Sequence, residues 1–175
     1  MHLKLKGSPI ICLVGFMGSG KSTVGKLLAA RLGWTFIDLD EEIARSAGRS
    51  IPDIFDADGE PRFRELEQVA LQEQCHQAQH GRARVVALGG GAFSNPLTRE
   101  KLELGGVSIW LDCPVERLWP RVEGIPDRPL ARDRGQFERL YRQRLEHYRQ
   151  ADFTVPADTD EPAQVMEAIL RLKLF

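Results

Sequence analysis

The chain has 175 residues, 42% apolar and 28% charged, which suits one folded domain with a full core and excludes a disordered or fibrous chain. Its 24 Lys and Arg against 25 Asp and Glu leave a net charge of −1, so no global attraction to nucleic acid or anionic membrane is expected. Cys12, Cys75 and Cys113 lie far apart without C-x-x-C spacing, which excludes a disulfide framework or zinc site and reads as packing thiols in a reducing cytoplasm.

The start, Met1 to Lys6, lacks the apolar core of a secretory signal, and no apolar run reaches membrane-spanning length. Ile10-Ile11-Cys12-Leu13-Val14 reads as a buried strand. It is followed at once by Gly15-Phe16-Met17-Gly18-Ser19-Gly20-Lys21-Ser22-Thr23, a match to G-x-x-x-x-G-K-[ST]. Strand, glycine turn and helix in that order form a phosphate cradle. Gly18 and Gly20 let backbone N–H groups point inward, and the helix from Lys21 adds its positive dipole end. Lys21 suits the β- and γ-phosphates of a nucleotide and the Ser22 hydroxyl suits Mg²⁺. An ordinary glycine turn before a helix is the competing reading.

Val24, Leu27, Leu28 and Leu32 recur at helical spacing and Gly33 supplies a stop. Thr35-Phe36-Ile37 is a short strand that delivers Asp38-Leu39-Asp40, and a helix follows through Ile43 and Ala47 to Gly48. If the extended geometry persists, Asp38 and Asp40 face one cleft, one carboxylate serving a metal and the other an acceptor hydroxyl. Capping of the next helix is the alternative role for both.

Ser50-Ile51-Pro52-Asp53 reads as a helix start with Phe55 inward, and Phe63, Leu66, Val69 and Ala70 mark a longer amphipathic helix from Glu60 to about Gln79. Val85-Val86-Ala87-Leu88 is a buried strand ending in Gly89-Gly90-Gly91, which permits either close backbone approach to a ligand or simply a tight turn. Val107 to Leu111 is the next strand, and Val115 to Val122 a helix bent or shortened by Pro120.

The turn-rich, basic segment 123–135 reads as a functional loop in which Arg128, Arg132 or Arg134 suits a transferring phosphoryl group. A helix from about Gln136 to Arg149, a strand at Phe153-Thr154-Val155 and a helix from Val165 to Leu172 complete the chain. Strands alternating with helices imply a parallel sheet covered on both faces, with the ligand at the carboxyl ends of the strands. The cradle, the Asp38/Asp40 pair and the triple glycine all fall at such ends. Arg64 and Arg144 are candidates for a planar carboxylate, although from spacing alone either is more often a surface charge. His2, His76, His80 and His147 show no ligand spacing.

The combination resembles the shikimate kinase family over nearly the whole chain. The residues that carry it are the cradle, Asp38-Leu39-Asp40, Gly48 to Phe55, Gly59-Glu60 with Phe63-Arg64 and Glu67, Leu88 to Ala92, Arg128-Pro129-Leu130, and the helix with Arg144 and Tyr148. The resemblance implies an α/β three-layer sandwich with a five-stranded parallel sheet, of the P-loop nucleoside monophosphate kinase-like kind. It implies ATP-dependent phosphorylation of the shikimate 3-hydroxyl, with Lys21, Asp40 and Arg128 catalytic. Nucleotide contacts would come from Gly18, Ser19, Gly20, Lys21, Ser22, Thr23, Arg121, Arg128 and Pro162, and Mg²⁺ from Ser22 and Asp38, the latter through water. Asp40, Phe55, Phe63, Arg64, Gly89, Gly90, Gly91 and Arg144 would line the shikimate pocket.

One domain is expected, with an acceptor region at about 41–70 and a lid at about 123–135. The expected protein is a cytoplasmic monomer whose partners are shikimate and ATP, with no nucleic acid or membrane. Two departures stand out: the flanks of the lid do not align securely, and Gln143 occupies a position that is often basic in the family, next to Arg144 on a helix rich in arginine. The rivals are a gluconate kinase and a ligand-sensing module that binds without turnover.

Overall fold

The computed structural model describes residues 9–124, 133–172 and 174. The apolar runs form the strands β1 (Ile10–Val14), β2 (Thr35–Asp38), β3 (Arg84–Ala87), β4 (Gly106–Asp112) and β5 (Phe153–Pro156). All pair in parallel, in the spatial order β2-β3-β1-β4-β5. The helices are α1 (Lys21–Leu32), α2 (Leu39–Ala47), α3 (Ile51–Gln79), α4 (Pro96–Glu103), α5 (Val115–Val122), α6 (Arg134–Tyr148) and α7 (Pro162–Leu170).

Every residue of β1 and β3 is buried. Because successive strand side chains point to opposite faces, full burial means that helices cover both sides of the sheet centre. The edge strands β2 and β5 keep exposed positions. Register then builds the site: Leu13 sits between Ala87 and Ile109, and Asp38 ends β2 opposite Ala87. From β1 the chain crosses to β2 and β3 on one side and later to β4 on the other, so the strand order reverses at β1. A crevice opens at the carboxyl ends of strands around such a reversal.

Several local expectations change. Asp38-Leu39-Asp40 does not stay extended: Asp38 is the N-cap of α2 and Asp40 lies in its first turn. The helices expected from Ser50 and from Glu60 lie in one long element, broken at Gly59, whose φ of 79° and ψ of 171° are not helical. Pro61, without an N–H to donate, follows that break. The Ser50 cap is present, its Oγ accepting from the Asp53 N–H at 3.2 Å.

Two apolar residues assigned to buried faces point out, Val69 at 67% exposure and Leu27 at 40%. Helix α4 was not anticipated, although Asn95 caps it by accepting from the Leu97 N–H at 3.0 Å and Pro96 opens its first turn. Its short, polar sequence carries little apolar period, since only Thr98 and Leu102 are buried. Among the described residues no helix is long and apolar enough to cross a membrane.

Candidate active site

The loop from Gly15 to Gly20 leaves the end of β1 and enters α1 through two left-handed glycines, Gly18 (φ 83°) and Gly20 (φ 91°). Gly20 is the N-cap and supplies no side-chain acceptor, so the helix mouth is left to a ligand's oxygens. Lys21 Nζ folds over the loop, donating to the carbonyls of Gly15 at 2.8 Å and Phe16 at 3.0 Å. Its charge thus sits above the cradle. Ser19 donates its N–H to Phe16 O at 3.2 Å, while its Oγ is buried without a partner among the described residues. Thr23 is exposed.

Ser22 Oγ donates to Asp38 Oδ2 at 2.6 Å. The other carboxylate oxygen, Oδ1, accepts from the N–H groups of Asp40 at 3.1 Å and Glu41 at 3.4 Å. The two readings of Asp38, cap and metal-side acid, are therefore compatible. A hydroxyl and a carboxylate this close beside a phosphate cradle are the hard oxygen donors that Mg²⁺ takes while keeping several waters, so the residues fit that ion.

Arg121 donates to Gly18 O at 3.1 Å, Thr159 O at 3.0 Å and Asp160 Oδ1 at 2.9 Å. It ties the underside of the cradle to the connection that reaches Pro162, the first residue of α7. Arg121 and Pro162 therefore belong to the same side of the molecule as the cradle. Arg128 lies outside the described residues, as does Arg132.

The triple glycine marks the other half of the cleft. A Cβ built on Gly89 would lie 2.7 Å from Asp40 Oδ1, one on Gly90 3.0 Å from Arg144 Nη1, and one on Gly91 2.6 Å from Arg64 Nη2 and 3.2 Å from Arg144 Nη2. Three glycines in a row thus bring the backbone against three charged groups delivered by α2, α3 and α6. Two guanidiniums converging on a backbone without side chains suit a planar carboxylate, and a carboxylate at the opposite end suits a hydroxyl.

Each arginine has a built seat. Arg64 Nη1 donates to both oxygens of Glu67, at 3.1 and 3.0 Å, and its Nη2 and Nε donate to Glu60 Oε1 at 3.0 and 3.2 Å. Its guanidinium also lies 5.3 Å from the ring centroid of Phe63, which in turn is 4.7 Å from that of Phe55. Arg144 lies 5.4 Å from the centroid of Phe16, the buried aromatic residue of the cradle itself.

Glu67 is 1% exposed. Burial pushes its carboxyl up, and the neighbouring Asp40 charge adds to this, against the opposing pull of Arg64 and Arg144. Burial also opposes the charge on Arg64, but Glu67 and Glu60 outweigh it and hold that guanidinium firmly protonated.

The sequence reading assigned no role to Glu60, Glu67, Phe16 or Tyr148. Helical spacing carried the first two, since Glu60 stands four residues before Arg64 and Glu67 three after. Tyr148 likewise follows Arg144 by four. Nothing local marked Phe16, whose ring meets α6 only in the folded chain. Among the described residues, no group of three or more His, Cys, Asp or Glu stands where it could hold a metal ion.

A parallel sheet in this order, with a phosphate cradle after β1, an acidic cap after β2 and an acceptor cleft beside them, defines a P-loop phosphotransferase of the nucleoside monophosphate kinase-like kind. A family model described as shikimate kinase matches residues 17–173. Shikimate kinase of Persephonella marina is 40% identical over 161 residues, covering 91% of this chain and 96% of that protein. Its counterpart in Synechococcus elongatus is 43% identical over 164 residues, covering 91% and 84%.

Among solved structures, shikimate kinase from Acinetobacter baumannii in complex with shikimate superposes with a TM-score of 0.88 at 38% identity, covering 95% of this chain and 93% of that one. A gluconokinase from Sinorhizobium meliloti reaches a TM-score of 0.57 at 20% identity, covering 94% and 91%, and shares the fold. The chain belongs to the shikimate kinase family.

Proposed function

We propose that the cleft holds ATP over the cradle and shikimate against the triple glycine, with Asp40 receiving the proton of the 3-hydroxyl as it attacks the γ-phosphorus. The reaction follows from the family: ATP-dependent phosphorylation of shikimate, in the biosynthesis of aromatic amino acids. The bond formed is from the 3-oxygen to phosphorus, the bond broken joins phosphorus to the β,γ-bridging oxygen, and the products are shikimate 3-phosphate and ADP. The observation that carries the assignment is the set of close approaches at Gly89, Gly90 and Gly91, one each to Asp40, Arg144 and Arg64.

Arg64 and Arg144 grip the acceptor carboxylate, and Phe55 and Phe63 wall the ring. This fixes the hydroxyl end near Asp40, which matters because orientation of the reactants supplies much of the rate in phosphoryl transfer. Lys21 and the amides from Gly18 to Thr23 hold the phosphates, Arg121 and Pro162 flank the base, and Arg128 is assigned to the transferring phosphoryl group on its sequence position alone. Ser22 would hold Mg²⁺ directly and Asp38 through water. That ion supplies neutralisation of the phosphate charge when bound.

We infer, from the sequence reading alone, a monomeric enzyme acting in the cytoplasm. Light scattering of the purified protein tests the monomer.

A coupled assay for ADP release with shikimate, gluconate or buffer alone tests the acceptor. Shikimate-dependent release is expected. Release with gluconate and none with shikimate overturns the assignment, and tight calorimetric binding of shikimate without transfer in the presence of Mg²⁺ and ATP points instead to a sensor.

A further inference from the structure

Tyr148 is the last residue of α6 and follows Arg144 by four positions, so the two side chains leave the same face of the helix. Its ring is buried, 1% exposed, and packs at 6.1 Å between centroids against Trp110 of β4. From that fixed position its Oη donates to Gly90 O at 2.5 Å, joining the end of α6 to the turn after β3.

A trans peptide is planar, with its carbonyl and N–H pointing in opposite directions. A carbonyl of Gly90 held on the phenol therefore turns the following N–H, that of Gly91, away from it. That N–H makes no hydrogen bond to another of the described residues. Gly91 is also the residue whose Cα faces both Arg64 Nη2 and Arg144 Nη2.

We propose that Tyr148 is a positioning residue for the acceptor: its hydroxyl sets the Gly90–Gly91 peptide in the orientation that lets this turn and Arg144 receive the acceptor carboxylate together. The proposal rests on the reading that Arg64 and Arg144 bind that carboxylate. Without the phenolic donor the glycine turn can rotate, because neither glycine has a side chain to pin it. Burial pushes the phenol up to about 12, against the pull of the nearby Arg144 charge, so it remains a proton donor throughout the working pH range.

The test is Tyr148→Phe, which keeps the ring and removes only the hydroxyl. KM for shikimate is expected to rise about tenfold, the equivalent of one hydrogen bond, while KM for ATP and kcat stay within about twofold. Trp110→Phe is the control: it loosens the ring packing but keeps the hydroxyl, and is expected to lower Tm without moving KM for shikimate. KM does not depend on the fraction of active enzyme, so partial unfolding of either variant leaves the comparison intact.

A Tyr148→Phe enzyme with an unmoved KM for shikimate, or with both KM values raised equally, overturns the proposal. A parent enzyme that never saturates with shikimate overturns the underlying site reading and this proposal with it. That outcome is distinguishable from normal parent kinetics beside an unmoved variant.

Discussion

Ser22 Oγ and Asp38 Oδ2 meet at 2.6 Å across the gap between α1 and α2, while Asp38 Oδ1 caps α2. One carboxylate thereby couples the nucleotide half of the cleft to the helix that carries Asp40. The first turn of α2, with Asp40 in it, is thereby held by the same residue that braces the Ser22 hydroxyl.

Asp38→Asn separates these roles. The amide oxygen still caps the helix, so stability is expected to fall by less than about 1 kcal/mol, below the usual cost of deleting a cap. The charge facing Ser22 is lost, and the Mg²⁺ concentration giving half-maximal activity is expected to rise by about tenfold or more, equivalent to at least about 1.4 kcal/mol. A thermal melt beside a Mg²⁺ titration of activity checks both. An unmoved titration removes Asp38 from the metal side.

Asp40 and Arg64 lie on opposite flanks of the triple glycine, and their variants are expected to fail differently. Asp40→Asn removes the proton acceptor and should lower kcat by about a hundredfold or more with KM for shikimate little changed, in the range of general base catalysis. Arg64→Ala removes a remote contact and should raise KM for shikimate by about tenfold or more with a smaller effect on kcat. Steady-state kinetics with shikimate varied at saturating ATP separates them, and normal turnover in Asp40→Asn rules it out as the base.

Gly91→Ala is a steric version of the same test. The new methyl would stand 2.6 Å from Arg64 Nη2 and 3.2 Å from Arg144 Nη2. These are ends of long side chains and can move, so the fold should survive with a loss of at most about 1 kcal/mol, at the low end for an inserted methyl. The carboxylate clamp is displaced, and calorimetric affinity for shikimate should fall by about tenfold while that for ADP holds, a difference of about 1.4 kcal/mol.

These expectations combine local patterns legible in the sequence with contacts that are not. The cradle was legible because glycines, Lys21 and Ser22 form a short contiguous pattern, and the sheet because its central strands are continuous apolar runs. The reach of Asp38 to both Ser22 and the α2 amides was not, because it depends on where a strand stops and a helix begins. The exposure of Val69 was hidden because the buried face of α3 after Gly59 runs through Phe63, Glu67, Leu71, Gln74 and Ala78, so polar residues occupy two of its positions and the apolar pattern alone misplaces it. Tyr148 and Gly90, 58 positions apart, share no local signal at all.

Glu67, bonded to Arg64, links the proposed carboxylate clamp to pH. Burial first, then Asp40, keeps its folded-state proton affinity above that of an unfolded glutamate despite Arg64. The folded state therefore binds more protons than the unfolded one within that window, so this contribution to stability is complete below the ordinary glutamate range and is lost as pH rises through the raised value. Glu67→Gln removes the titration. The Tm difference between parent and variant is expected to shift against the parent between acidic and neutral pH. A difference that is flat across the range shows that Glu67 does not titrate as burial directs.

Gly25 offers the opposite case, a glycine of α1 whose role lies in packing. A Cβ there would fall 2.4 Å from Phe36 Cε2 and 3.3 Å from Leu13 Cδ1, the first belonging to β2 and the second to the centre of the sheet. Neither neighbour is the free end of a flexible chain: Leu13 is fully buried and the ring of Phe36 packs against the core. Gly25→Ala should therefore overpack the contact between α1 and β2 and destabilise by about 1–3 kcal/mol, even though alanine favours helix by up to about 1 kcal/mol over glycine. Because α1 starts at the cradle and β2 ends at Asp38, any outward shift of the helix also widens the gap from Ser22 to Asp38. The variant is expected to lose Tm first and then require more Mg²⁺, whereas Gly91→Ala loses little Tm but loses affinity for shikimate; denaturant melts run beside the Mg²⁺ titration tell the two glycines apart.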